Sequence, residues 1–310
     1  MAESTVPELR PDVSVIMPVG GVDDLVRPAI ESVLDQKTDL RFEVLLSLNT
    51  ADPAAGSALR TLVEVLDDDR LRIVPSHTSP GAAGARNGGV PAARADVLAF
   101  CDADDLADPG WLDALVAGLD GYDAVTGHVD ETTLAPAHQS AWRPPATPGA
   151  LPRFHGHEYI LSGNLAVRRV AFEAVSGFDT DLTRCEDIAF GWSLVRAGYR
   201  IGFVPEAVIL YRHREGLWPM LRQHYLYGRG HSEVLVRYGL PGGEAESSTL
   251  LRPNGQRAER ITLQGTLRRG AIALGRVRGL AGEAVRSRIG TGRGTAGSAG
   301  TGRGTAGSAG

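Results

Sequence analysis

Two cysteines, Cys101 and Cys185, are all that 310 residues contain. So few thiols exclude a disulfide framework, and their spacing excludes a cysteine-based metal site. Both are expected to be free thiols in a reducing compartment. No apolar run is long enough to cross a bilayer. Met1 to Asp12 is polar and acidic, with no apolar stretch to serve as a signal peptide. The formal net charge of -5 is too mild to name a partner, and nucleic acid is not expected to be one. These absences leave a soluble cytoplasmic protein as the default. What is abundant is apolar: 43% of the residues, enough for a full-sized core in one large domain or two small ones.

Short apolar runs alternate with helix-patterned stretches through the first half. Val13–Val19, Phe42–Leu48, Leu71–Val74 and Val97–Cys101 read as buried strands. Helices are expected after Asp23 or Asp24 (with Leu25, Ile30, Val33 and Leu34 along one side), over Ala54–Leu66, over Ala83–Ala93 and over Pro109–Leu119. This alternation predicts parallel β-α-β units with helices on both faces. The second half is less regular. Ala124–His128 and Tyr159–Val167 suit strands, and Asp130–His157, rich in Pro, His and Thr, suits a long loop. Helices are expected over Arg169–Val175, Glu186–Ala197 and Trp218–Tyr238, with two short strands at Ile201–Val204 and Ala207–Tyr211. Pro241–Asn254 reads as a polar linker. Gln256–Ile289 is arginine-rich and fits either basic amphipathic helices or a mobile segment. Its charge suits peripheral contact with an anionic membrane surface, although a solvated basic tail is the preferred reading. From Thr291 one Gly-rich segment occurs twice, a flexible low-complexity tail.

Asp102, Asp104 and Asp105 crowd the exit of the Val97–Cys101 strand. Their mutual repulsion gives folding nothing obvious, and a hard cation such as Mg2+ or Mn2+ would relieve it through oxygen ligands. Strand carboxyl ends are also where open α/β sheets bind ligands. A solvated acidic turn capping the helix near Pro109 accounts for the same residues without a metal. Glu186-Asp187 opens a helix, so Asp187 suits a general base, and the pair equally suits simple complementation of the helix dipole. Pro80 to Asn87 is a glycine-rich helix start whose Arg86 suits a phosphate contact or a structural ion pair. His213, in Tyr211-Arg212-His213-Arg214, fits a third metal ligand, a phosphate contact or a solvated turn. Asn164 fits a sugar-binding residue or a turn residue.

In this order the segments resemble the family 2 glycosyltransferases, which have the GT-A fold, over roughly Val13 to Tyr238. The resemblance is carried by the Val13–Val19 strand, Glu31-Ser32-Val33-Leu34-Asp35-Gln36, Gly84-Ala85-Arg86-Asn87-Gly88-Gly89, Phe100 to Asp105, Ser162-Gly163-Asn164-Leu165-Ala166, Gly177-Phe178-Asp179, Glu186-Asp187 and Ala197 to Ile201. It implies an α/β fold with a mixed, largely parallel sheet and helices on both faces. That domain would cover 13–239, its donor half 13–128 and its acceptor half 129–239, followed by a basic extension over 240–290 and the tail over 291–310.

The resemblance also implies a site. A nucleotide-diphosphate sugar would lie against Pro18, Val19, Asn49, Arg86, Asp102 and Asp104. Mg2+ or Mn2+ would be held around Asp104 with help from Asp102 or Asp105, and His213 stays a candidate further ligand from its own position. The acceptor, whether a glycan, a lipid-linked sugar or a small molecule, would meet Gly163, Asn164 and Trp192. Glu186 and Asp187 would form the catalytic pair, Asp187 taking the acceptor proton so that the sugar is transferred with inversion. The chain departs from the pattern where Val19-Gly20-Gly21 lacks an aromatic residue and where Ser47-Leu48-Asn49 replaces acidic residues, so the nucleotide stays open. A nucleotidyltransferase would need a Gly/Arg/Lys-rich loop after the first strand, which is missing. A non-catalytic sugar-binding protein would have no use for both the acidic cluster and Glu186-Asp187.

Overall fold

The structure, a computed structural model, describes residues 10–77, 79–135, 147, 149–213, 216–241 and 263–293, with side chains as far as Arg286. Nearly all of the linker predicted at Pro241–Asn254, much of the 130–157 excursion, Arg214 and the tail from 294 lie outside the described residues.

An eight-stranded sheet forms the centre. Its strands are β1 (Val13–Val19), β2 (Phe42–Leu48), β3 (Leu71–Pro75), β4 (Val97–Cys101), β5 (Leu106–Ala107), β6 (Ala124–Asp130), β9 (Asn164–Arg168) and β10 (Ile201–Leu210). The order is β3-β2-β1-β4-β9-β6-β10-β5. A separate two-stranded ribbon joins β7 (Arg153–Phe154) to β8 (His157–Glu158). β1 pairs in parallel with both β2 and β4, while β9 runs antiparallel between β4 and β6. The strand order therefore reverses between β1 and β4. That switch point opens a crevice at the carboxyl ends of these two strands, where Gly20 follows one and Asp102 the other.

The apolar strands are buried on both sides because helices cover both. Alternate residues of β1 go to opposite faces. Val13, Val15, Met17 and Val19 pack with α1 (Val26–Leu34) and α4 (Trp111–Gly118), while Ile16 joins Phe100, Leu165 and Phe172 on the other face. That second face is covered by α3 (Gly81–Gly89), α5 (Arg169–Ala174) and α6 (Glu186–Arg196). α2 (Pro53–Leu66) flanks β3, its first turn capped by Asp52, which accepts the Ala54 N–H. α7 (Leu217–Tyr238) lies beyond α6, and α8 (Leu263–Arg293) lies along α7.

Three boundaries differ from expectation for local reasons. Ile201–Leu210 is one strand rather than two, with a bulge between Val204 and Val208. Pro205 has no N–H to give the ladder, so pairing slips there and resumes. β9 starts only at Asn164, because Ser162 and Gly163 make a turn before it. α3 stops at Gly89, where Val90–Ala92 tightens into a 3-10 turn around Pro91.

Candidate active site

Asp102, Asp104 and Asp105 stand where β4 ends, at the switch point. One ligand oxygen from each lies within 4.8 Å of the others. Asp104 is exposed, Asp102 partly so, and Asp105 is buried. Burial, and then the charges of Asp102 and Asp104, push the Asp105 carboxyl up to about 9, against the N–H that Arg212 donates to it at 2.9 Å. Three carboxylates so placed are a hard-oxygen donor set whose repulsion a divalent cation would remove. The residues present fit Mg2+ or Mn2+.

Arg86 ties this cluster to the second carboxylate pair. Its guanidinium is 3% exposed and forks: Nη2 donates to Asp102 Oδ1 at 2.5 Å, and Nη1 donates to Glu186 Oε1 at 3.0 Å. Burial alone would lower the Arg86 pKa, but Asp102, Glu186 and Asp187 raise it above its ordinary value. The plane of Phe178 lies 5.7 Å beneath the guanidinium carbon. Next to it, Asn87 grips the Phe178 backbone at both ends, donating to its carbonyl at 2.7 Å and accepting its N–H at 2.9 Å. Arg86 is thus a buried ion-pair residue that bridges Asp102 and Glu186.

Asp187 sits in the first turn of α6, its Oδ1 accepting the Ile188 N–H at 2.8 Å. Burial raises its carboxyl above the ordinary carboxylate range, Glu186 pushes the same way, and the Ile188 N–H and Arg86 oppose them. A carboxylate tuned upward is a better proton acceptor near neutrality. Glu186, beside Asp187 in the same turn, is held by Arg86.

The chain before α6 is fixed by a residue that motif reading missed. Glu233 of α7 is buried and accepts the Thr183 N–H at 2.7 Å and the Thr183 hydroxyl at 2.9 Å, while Arg229 donates to it at 2.8 Å. It is the one acid in α7, and that isolation within a basic helix was the available signal.

Several expected site residues turn out to be scaffold. Asn164 is buried and fully employed: its amide donates to the His128 and Ala207 carbonyls at 2.9 and 3.0 Å, and its Oδ1 accepts Trp111 Nε1 at 2.9 Å. It bolts β9 to β6, β10 and α4, and has nothing left for a sugar. Asn164→Ala is expected to cost on the order of 3 kcal/mol, because it strands buried partners; urea unfolding checks this. Trp192 is also fully buried, stacked on Phe154 at 5.8 Å beneath Val234 and Leu235, so it is core and no acceptor wall. Gly163 lies against the acidic cluster: a Cβ there would come 2.6 Å from Asp102 Oδ2. Asn49 is committed to the loop ahead of α3, donating to the Ser76 and Ser79 carbonyls and accepting the Gly81 N–H. Val19 faces the core, so it can offer the crevice only backbone, while Pro18 stays half-buried beside it. His213 is not among the three clustered ligands; its Nε2 lies 3.8 Å from Glu131 Oε1.

Sheet order, switch point and acidic exit define an α/β architecture of the GT-A kind. The sequence profile of "Glycosyl transferase family 2" matches residues 14–175, and that of "Glycosyl transferase family group 2" matches 152–269. The chain belongs to glycosyl transferase family 2. It is 28% identical over 170 residues to a pre-mycofactocin glycosyltransferase of Mycobacterium tuberculosis, covering 52% of this chain and 36% of that protein. It is 25% identical over 232 residues to glycosyltransferase AglE of Haloferax volcanii, covering 72% and 74%. The chain thus spans about a third of the first relative's length. Among solved structures it is similar to the mannosyltransferase PcManGT of Pyrobaculum calidifontis in complex with GDP-Man and Mn2+, at a TM-score of 0.56 and 20% identity over 94% of this chain and 81% of that one. It is also similar to S. aureus TarS 1-349 in complex with UDP-GlcNAc, at 0.52 and 18% over 76% and 68%. Likeness at that identity shows the fold. Among the described residues no helix is long and apolar enough to cross a membrane.

Proposed function

We propose that the chain transfers a sugar from a nucleotide-diphosphate donor to an acceptor hydroxyl with inversion at the anomeric carbon. The observation that carries this reading is the Arg86 fork, which holds Asp102 of the acidic cluster and Glu186, the neighbour of Asp187, on one guanidinium. One side chain thereby links the acidic exit of β4 to the start of the helix that carries Asp187, whose carboxyl is raised by burial. The relatives' activities and the nucleotide sugars in the similar structures support the same reaction class.

Asp104 and Asp102, with Asp105 behind them, would hold Mg2+ or Mn2+. When bound, the cation supplies a Lewis acid for the departing diphosphate oxygens. Asp187 takes the proton of the acceptor hydroxyl as its oxygen bonds to the anomeric carbon, and the bond from that carbon to the diphosphate oxygen breaks on the opposite face. Arg86 and Glu186 keep Asp187 at a fixed distance from the acidic exit, which is the positioning contribution. The test is release of nucleoside diphosphate from a panel of donors by the purified chain with Mn2+, with the anomeric proton of the product followed by NMR. Release together with an inverted product supports the reading; a product that retains the donor configuration sinks it.

A further inference from the structure

Helix α8 turns one face to α7 and the other to solvent, and the solvent face carries an apolar stripe. The inner contact is made backbone to backbone: a Cβ on Gly275 would lie 1.9 Å from the Tyr225 carbonyl, and one on Gly228 would lie 2.0 Å from the Ile272 carbonyl. Ser232 Oγ donates to the Arg276 carbonyl at 3.0 Å, and Arg237 Nη2 meets Glu283 at 2.7 Å. The helix is therefore docked in one rotation. On the opposite side Leu263, Leu267, Leu274, Val277 and Val285 follow at helical spacing and form one stripe. Leu263 is 72% exposed, Leu274 68%, Val277 60% and Val285 56%. Single exposed apolar residues are ordinary, but a continuous stripe about 33 Å long (1.5 Å rise per residue) marks an interaction surface.

The charges around the stripe say what covers it. Arg278 is exposed at its edge, while Arg269 and Arg286 are exposed further round toward α7, where Arg286 Nη1 lies 3.9 Å from Glu283. The only acid in α8 is Glu283, which is engaged by Arg237 of α7. We propose that the outer face of α8 docks on an anionic lipid membrane. Such a surface offers an apolar phase for the leucines and valines and counter-charge for the arginines. A second copy of the chain would set one basic helix against another, since the one acid of α8, Glu283, is turned to Arg237 of α7. Trp218, 78% exposed in the first turn of α7, adds a residue suited to a membrane interface. α7 and α8 run parallel, Gly228 beside Ile272 and Arg237 beside Glu283, which sets Trp218 level with the start of α8.

The proposal goes beyond the sugar-transfer reading and does not depend on it. The full chain is floated with vesicles of phosphatidylcholine and phosphatidylglycerol in equal parts, and with phosphatidylcholine alone. It is expected to float with the anionic vesicles only. A Leu274→Asp/Val277→Asp double variant and, separately, Arg278→Glu should each cut partitioning roughly tenfold, with unchanged melting curves. If the double variant fails to fold, the exposed Arg278→Glu carries the test. No flotation of the wild type, or equal flotation of the variants, overturns the proposal. So does a dimer in sedimentation velocity that the double variant dissociates while the wild type stays off the vesicles. Nucleoside diphosphate release without vesicles is read in parallel: release without flotation removes this proposal alone, and flotation without release removes the transfer reading alone.

Discussion

Asp187→Asn is expected to lower sugar transfer by about 100- to 10,000-fold, the contribution of a positioned general base. The fold should be unharmed. A carboxyl whose folded pKa is raised above its unfolded value loses stability as pH climbs past the unfolded value, because the native state resists giving up the proton. Burial and Glu186 raise Asp187 in this way. The neutral amide removes that cost, so the variant should melt at the same temperature as the wild type or higher at neutral pH. The same shift sets the pH profile. Only ionised Asp187 accepts a proton, so wild-type activity falls on acidification at a pH above the ordinary carboxylate range. The residual activity of the variant should lack that acidic limb. A variant that keeps near-normal transfer removes Asp187 from the role of base.

Arg86→Met should have the largest effect on stability. The guanidinium is buried and serves Asp102 and Glu186 at once. Removing it leaves two carboxylates facing each other without a counter-charge, and breaking a buried pair of this kind costs about 3 to 5 kcal/mol. Urea unfolding measures it. Arg86→Lys should recover only part, because one ammonium cannot span two carboxylates in the fork geometry. Arg86 also holds the Asp187 pKa down. In any variant that still turns over, the acidic limb of the pH profile should therefore move to higher pH. A pH profile that stays in place would mean Arg86 acts on the fold alone.

Much of this was legible in the chain. Apolar runs bounded by turn residues gave the strands, and the acidic exit of Val97–Cys101 pointed to the crevice before any pairing was known. What pattern could not supply was direction. Asn164 and Trp192 occupy the expected segments, but both point inward, since a motif fixes where a residue stands in the chain and not which way its side chain faces. Arg86 fitted a phosphate contact and an ion pair equally well until Glu186, 100 residues downstream, was seen beside it. Asn49 was likewise claimed by neighbours distant in sequence, Ser79 and Gly81, while His213 lies 3.8 Å from Glu131 rather than among the three clustered carboxylates. For α8 the sequence left helix and mobile segment open, because pattern does not show that Gly275 and Gly279, four apart, are the points at which the helix closes on α7.

The metal-assisted donor site is tested most directly by thermal shift with a panel of nucleotide sugars, with and without Mn2+, on the wild type and on Asp104→Ala. Saturating ligand at a hundred times its Kd stabilises a protein by about 2.7 kcal/mol. At least one donor should raise the wild-type melting temperature in the presence of Mn2+ and much less in its absence, and Asp104→Ala should erase the difference. A donor that stabilises wild type and Asp104→Ala equally, with or without the metal, would contradict the assignment of the acidic exit of β4 to the donor diphosphate.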